Sequence, residues 1–210
     1  MLDKAVQVID CLVSGPRTLA ELVAATGLPR ATAHRLAVAL EHHDFVRRDS
    51  DGRFALGFRF ATLGRAALDG TPLAELSRSA LVWLRDTTGE SVQLYLRDGN
   101  QRVCVESFES PHGLRTIVAV GASLPLDVGS AGKILRGDDA PRGWAASVEE
   151  REAGVASVSA PIRDRHDNVI AAISVSGPIE RTTRRPGQRY GEQVCRAAQM
   201  VEEAAGVRAG

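Results

Sequence analysis

Aromatic residues are scarce: Phe, Trp and Tyr make up 4% of the 210 residues. Any core must therefore be aliphatic, built from Leu, Val, Ile and Ala. No apolar run approaches the roughly 20 residues that a membrane-spanning helix needs. The opening Met1-Leu2-Asp3-Lys4 leads straight into a periodic helix without a signal-peptide pattern, so a soluble cytoplasmic protein with no membrane partner is expected. Only three cysteines occur, Cys11, Cys104 and Cys195, and they stand far apart. With no Cys-x-x-Cys and no Cys/His cluster, neither a disulfide framework nor a structural zinc is expected, and no cofactor is implied. Lysine is nearly absent too: of 26 basic residues, only Lys4 and Lys133 are Lys. The rest are Arg, the better bidentate partner for phosphate and carboxylate. The formal net charge of zero excludes a wholly basic nucleic-acid coat, but it leaves room for a local basic surface.

What is present is a globular balance, 44% hydrophobic and 25% charged, written in two grammars. Residues 1–56 read as three short helices and a hairpin. Ala5, Val6, Val8, Ile9, Leu12 and Val13 recur at helical spacing, and Ser14-Gly15-Pro16 stops that helix. Thr18 followed by Glu21 forms a capping-box pattern for a second helix, which Gly27 ends. Pro29 opens a third helix with an apolar stripe of Ala33, Leu36, Ala37 and Leu40. Phe45–Arg48 and Arg53–Leu56, joined by Asp49-Ser50-Asp51-Gly52, read as a hairpin. This order is that of a winged helix-turn-helix.

Residues 57–70 read as a linker helix carrying Phe58, Phe60, Ala61, Leu63 and Leu68, broken at Gly70-Thr71-Pro72. Residues 71–210 then form a second domain. It has a helix over 72–88 and alternating strands from Glu90. Strand-like residues follow at 115–120, with a short helix after Gly129-Ser130-Ala131-Gly132. Two strands, over 154–163 and 169–177, and a closing helix over 189–205 complete it. Hairpin turns between the strands predict an α+β fold with a mainly antiparallel sheet.

The third helix carries the first functional expectation. Its amino-terminal residues can meet base edges in a major groove. With Ala33, Leu36 and Leu40 turned to the core, Arg30, Thr32, His34 and Arg35 point outward or flank that face. Free amides behind Arg17 and Thr18 suit a phosphate oxygen, and Arg47, Arg48 and Arg53 can reach flanking backbone. Double-stranded operator DNA is the expected partner, read by a homodimer or a dimer of dimers. Against this stand seven acids matching seven bases in the first 56 residues, and Asp49 and Asp51 at the wing tip. Ordinary solvated charge on a small helical domain is the alternative.

The second expectation is a pocket. Ser157 and Ser159 share a strand face, as do Ser174 and Ser176. Pairing of the two strands makes a patch of four hydroxyls. Ser130 and Ala131 stand where a helix begins, and free amides there favour a carboxylate or phosphate. Arg115 and Thr116 are candidates for a wall. Serines on a solvated outer face are the alternative. No Gly-x-Ser-x-Gly elbow occurs, and the five His fall mostly in helix ends and turns, so no catalytic constellation is present.

Several segments together resemble the IclR family of bacterial transcription regulators. They are Leu28-Pro29-Arg30-Ala31-Thr32-Ala33-His34-Arg35-Leu36, Asp51-Gly52-Arg53-Phe54-Ala55-Leu56-Gly57, Gly129-Ser130-Ala131-Gly132-Lys133 and Ile173-Ser174-Val175-Ser176-Gly177-Pro178. Residues 155–162 with 174–181 look most like the actinobacterial NdgR/LeuR-type subgroup, which controls leucine and other amino-acid biosynthesis genes. The resemblance implies a winged-helix domain, a linker helix and a GAF-like effector domain that senses a small carboxylate, an amino acid or keto acid. Effector contacts would fall on Ser130, Ala131, Ser157, Ser174 and Ser176, with Leu114 and Thr116 on the wall. Two departures stand out. The family usually has a longer helical stretch after Gly-Ser-Ala-Gly-Lys, whereas only residues 136–141 precede Arg142-Gly143-Trp144 here, which opens the pocket or leaves it less able to close. Ser157 stands where some relatives carry Cys. Two rival readings are a constitutive DNA-binding repressor with a vestigial pocket and a GAF-like thiol reductase using Cys104, for which no resolving cysteine lies nearby.

Overall fold

The structure is a computed structural model that describes residues 1–69 and 72–207. The expected break at Gly70-Thr71, and the place of the Leu68 side chain on the linker helix, lie outside the described residues. The chain divides into two compact units, Met1–Gly70 and Thr71–Gly210.

In the first unit, α1 (Leu2–Val13), α2 (Leu19–Thr26) and α3 (Arg30–His42) precede a hairpin of β1 (Val46–Arg48) and β2 (Phe54–Leu56), followed by α4 (Arg59–Asp69). The capping box forms: the Glu21 amide donates to the Thr18 hydroxyl, and the Thr18 amide donates to the Glu21 carboxylate at 2.7 Å. The Thr18 backbone amide, and after it the Thr18 hydroxyl, holds the Glu21 carboxyl below its usual range. Gly27 ends α2 at φ 67°, a left-handed conformation that glycine adopts without a Cβ penalty. Val8, Leu12, Leu22, Leu28, Ala33, Ala37, Val46 and Phe54 form one core, with Leu36 and Leu40 packed at its edge. Arg17 and Phe54 exchange two backbone hydrogen bonds of 2.8 Å, so the turn before α2 is stitched to the wing.

The second unit runs α5 (Pro72–Thr88), β3 (Ser91–Asp98), β4 (Gln101–Phe108), β5 (Ser123–Pro125), α6 (Gly129–Arg136), β6 (Ala145–Val148), β7 (Val155–Arg163), β8 (Val169–Pro178), α7 (Ile179–Thr182) and α8 (Pro186–Ala204). The sheet has the order β5-β4-β3-β8-β7-β6, and every pairing is antiparallel. The α+β expectation is met. Tyr95, Cys104 and Ala172 on one face pack with Ala131, Ile134 and Leu135 of α6. Val92, Leu94, Val158, Ile173 and Val175 have the opposite parity and turn to the side where α5 and α8 pack.

Two readings of the sequence are corrected. Residues 115–120 form no strand. Their alternation is real, with Thr116 and Val118 buried and Ile117 and Val120 exposed, but residues 123–125 take the ladder on the free edge of β4. The sequence reading assigns no element to residues 145–148, which form the edge strand β6 against β7.

The short connection 137–144 ends at Trp144, whose indole lies on Gly187 and Gly191 of α8. A Cβ at either glycine would overlap the ring. Gly191→Val should therefore cost about 1–3 kcal/mol by overpacking. Urea melts of a double-mutant cycle should recover most of that loss in a Trp144→Ala background. Additive losses would show that the two residues are not coupled.

Candidate DNA-reading surface and effector pocket

The geometry of α3 follows from its stripe. Ala33 and Ala37 are buried, so Arg30, His34 and Arg35 are exposed and Thr32 is half-buried. Among the described residues, neither Arg30 nor Arg35 has an ion-pair partner. On the wing, Arg47 is exposed and likewise unpaired, its guanidinium 5.0 Å from the centre of the Phe58 ring.

The other cations expected on this surface have internal partners. Arg53 pairs with Asp49 at 2.9 Å and Asp51 at 3.2 Å, so the wing tip is neutralised within itself. Arg48 pairs with Glu41 at 3.2 Å and stacks on Phe54. Arg17 donates through Nε to the Cys11 carbonyl at 2.9 Å, which ties it to the end of α1. The Thr18 hydroxyl and amide are both engaged by Glu21, which puts a carboxylate over the amides expected to receive a phosphate. Of the cations expected on this surface, Arg30, Arg35 and Arg47 have no internal ion-pair or hydrogen-bond partner among the described residues.

In the second unit, strand register assembles the pocket. Ser147 lies opposite Ser157, Ser157 opposite Ser176, Ser159 opposite Ser174, and Ser174 opposite Gln93. All project from the face that α6 covers. Ser130 of α6 closes the network: its Oγ lies 2.7 Å from that of Ser157 and 2.8 Å from that of Ser159. Ser159, fully buried, donates to Ser174 at 2.9 Å. Ser147 meets Ser157 at 2.9 Å, and Ser176 donates to Gln93 Oε1 at 3.1 Å. The cavity holds about 30 Å³. Ser130, Ala131, Ser157, Ser174 and Ser176 line it, and Gln93, Tyr95, Arg102, Ser147, Arg151 and Glu152 line it as well.

Arg102 is 3% exposed. Its Nη1 donates to the carbonyls of Pro125 and Val128, while its Nε has no partner. Burial pushes its pKa down from the usual value. Among the described residues, Gln93 Nε2 and Thr116 Oγ1 are likewise buried without a hydrogen-bond partner. The Gly129 amide at the start of α6 is already taken by the Glu150 carboxylate at 3.0 Å.

The wall assigned to Leu114 and Thr116 is not there. Arg181, held by two bonds of 2.7 and 2.9 Å to the buried Glu90, also donates to the Leu114 carbonyl at 2.8 Å. That clamp fixes the segment at α7, and the Leu114 side chain is 68% exposed. Thr116 is buried outside the cavity. Arg115 pairs with Glu109 instead. Of the residues missed, Gln93 and Arg102 carried a signal, polar positions inside strand alternation, but that pattern equally describes a solvated face. Ser147 was missed with its strand.

The two units have the organisation of a DNA-binding transcriptional regulator. The family model for the IclR helix-turn-helix domain matches residues 1–50, and that for the bacterial transcriptional regulator IclR C-terminal region matches residues 65–139 and 140–203. The chain belongs to the IclR family of transcriptional regulators, whose members are regulators rather than enzymes. It is 30% identical to the glycerol operon regulatory protein of Streptomyces coelicolor, over 87% of this chain and 86% of that protein. That alignment runs over 222 positions, more than this whole chain, so the relative carries residues with no counterpart here. The fold is similar to that of the Thermotoga maritima IclR crystal structure, with TM-score 0.78, 23% identity and 98% of each chain covered. It is also similar to an IclR homologue from Microbacterium hydrocarbonoxydans complexed with 4-hydroxybenzoate, with TM-score 0.79, 21% identity and 99% of each chain covered. No helix among the described residues is long and apolar enough to cross a membrane.

Burial pushes the Cys104 thiol up to about 12, and its Sγ–H points to the Glu106 carbonyl at 3.4 Å. A raised thiol pKa leaves the unreactive protonated form in place at every pH below it. Iodoacetamide at pH 8 should therefore leave Cys104 unmodified in the folded protein and modify it only on unfolding. Peptide mass spectrometry reads the result, and rapid modification of the native protein would contradict this burial.

Proposed function

We propose that the protein is a homodimeric, metabolite-responsive regulator that sets the α3 of each copy in a major groove of operator DNA. Arg30, Thr32, His34 and Arg35 face the bases, and Arg47 contacts flanking phosphate. The observation that carries this reading is the pair of exposed, unpaired guanidinium groups, Arg30 and Arg35, on the amino-terminal half of a helix whose other face is buried. Two such helices would read half-sites about one helical turn, or a multiple of it, apart. The pocket between α6 and the sheet holds a small carboxylate, an amino acid or keto acid. Differential affinity of that ligand for two dimer geometries shifts DNA affinity, and DNA shifts ligand affinity by the same factor. Resemblance of residues 155–162 and 174–181 to regulators of leucine and other amino-acid biosynthesis supports genes of that class as targets. Two buried donors without partners weigh against a vestigial pocket.

The test is a mobility-shift titration with the DNA flanking the protein's own gene, at stated salt. Arg30→Ala and Arg35→Ala should each weaken specific binding by about tenfold or more, the loss of a bidentate base contact of about 1–3 kcal/mol. As surface changes, they should alter unfolding free energy by less than about 0.5 kcal/mol. Arg53→Ala should have the smaller effect on DNA, because that side chain is already held by two carboxylates. Unchanged affinity in both α3 variants would remove α3 as the reading helix.

A further inference from the structure

The sheet of the second unit ends on an unpaired strand. β6 pairs with β7 on one side, and no strand of the described residues lies on the other. The Glu149 amide donates to the Val155 carbonyl at 2.8 Å, toward β7. A trans peptide sets the preceding carbonyl on the opposite side, so the Val148 carbonyl points outward. Alternation along an antiparallel ladder turns the Ala146 and Val148 amides outward as well. Lys133 Nζ donates to the Ala146 carbonyl at 3.0 Å, a lysine cover of the kind that blunts an edge. It leaves both outward amides and the Val148 carbonyl without a partner among the described residues.

This edge forms one wall of a groove of about 540 Å³. Trp144, Ala146 and Val148 line it from the strand side, and Arg184, Arg185 and Pro186 line it from the start of α8. Its charge is positive. Arg142 and Arg185 are exposed, and neither side chain has an ion pair or hydrogen bond among the described residues. The Arg142 guanidinium lies 5.8 Å from the centre of the Trp144 ring. The carboxylates beside the groove are engaged within the chain. Glu149 pairs with Arg184 at 2.9 Å, and Glu150 holds Lys133 and the Gly129 amide. α8 begins here without a side-chain cap, which adds the positive end of its dipole. The family match breaks between residues 139 and 140, shortly before β6 begins.

We propose that the β6 edge is a docking site for an extended acidic segment of another protein. That segment pairs with Ala146 and Val148 as a seventh strand and sets its carboxylates against Arg142 and Arg185. Main-chain bonds give such a site its affinity, and the alternate side chains give it its choice of partner. Residues two apart on the added strand share a face, so acidic residues at alternate positions reach the α8 side together. A second copy of this chain is the poorer occupant, because pairing two β6 edges brings two positively charged grooves together. Nothing in this docking depends on a ligand of the serine-floored cavity.

The test uses the full chain and three capped hexapeptides: one alternating Glu with Thr, one alternating Lys with Thr, and the Glu peptide N-methylated throughout. Hydrogen exchange read by mass spectrometry should show the Glu peptide slowing exchange within residues 144–149. Titration should place its affinity about tenfold or more above that of the Lys peptide, as expected when charge-assisted contacts are matched rather than opposed. The N-methylated peptide, which has no amide donors, should give no protection. Arg142→Glu combined with Arg185→Glu should invert the preference between the Glu and Lys peptides at nearly unchanged melting temperature, since both are surface changes. Ala146→Pro removes an outward amide, a substitution that an edge strand tolerates, and should abolish the protection. Equal protection by the Glu and Lys peptides, or protection by the N-methylated one, would overturn the proposal. So would protection of this segment by duplex DNA and not by the Glu peptide, which would assign the cations to nucleic acid. Protection that rises with protein concentration in the absence of peptide, and is lost in Ala146→Pro, would make the occupant a second copy instead. Unchanged exchange with every peptide would remove the docking site.

Discussion

Residues two apart on a strand share a face, and the antiparallel register of β7 with β8 turns that rule into a site. Ser157 meets Ser176 and Ser159 meets Ser174 because the two strands pair at that offset. A slip of β7 by one residue would send Ser157 and Ser159 to the side packed by α5 and α8. It would also turn Val158 toward Ser130. In the native register Ser130, Ser157, Ser159 and Ser174 bond to one another and Ser176 donates to Gln93, so each of these hydroxyls has a partner. The register thus serves both as a stability constraint and as the device that builds the pocket.

The same economy of charge shapes the first unit. Seven acids balance seven bases in residues 1–56, but the pairs are not spread evenly. Asp49 and Asp51 hold Arg53 and Glu41 holds Arg48, while α3 has no acidic residue in its first turn. What remains unpaired is a small patch on one helix and one strand. Such a patch gives modest non-specific attraction and lets base-edge contacts dominate the choice of site.

The connection after α6 is where this chain departs from its relatives. The family match breaks between residues 139 and 140, at the place where the sequence is short. Trp144 lies on the glycines of α8, and β6 begins at the next residue, carrying Ser147 into the hydroxyl network. A single large side chain on two glycines fills space at low entropic cost, because an indole has few rotamers to lose.

By itself, the sequence determined whatever depends on neighbours within a few residues. The order of helices and wing, the capping box at Thr18 and Glu21, the left-handed Gly27, and the shared faces of Ser157 with Ser159 and Ser174 with Ser176 all follow from local geometry. Tertiary structure decided what depends on partners far along the chain. Alternation at 115–120 looked like a strand, yet 123–125 took the edge. Arg53 looked like a DNA contact, yet Asp49 and Asp51 hold it. Leu114 looked like a pocket wall, yet the Glu90–Arg181 clamp turns it outward. Gln93 and Arg102 carry no mark of a site in the sequence, because a polar residue in a strand pattern reads alike whether water or a helix covers its face. Periodicity reports that two faces differ; only the packing of α6 on the sheet decides which one is dry.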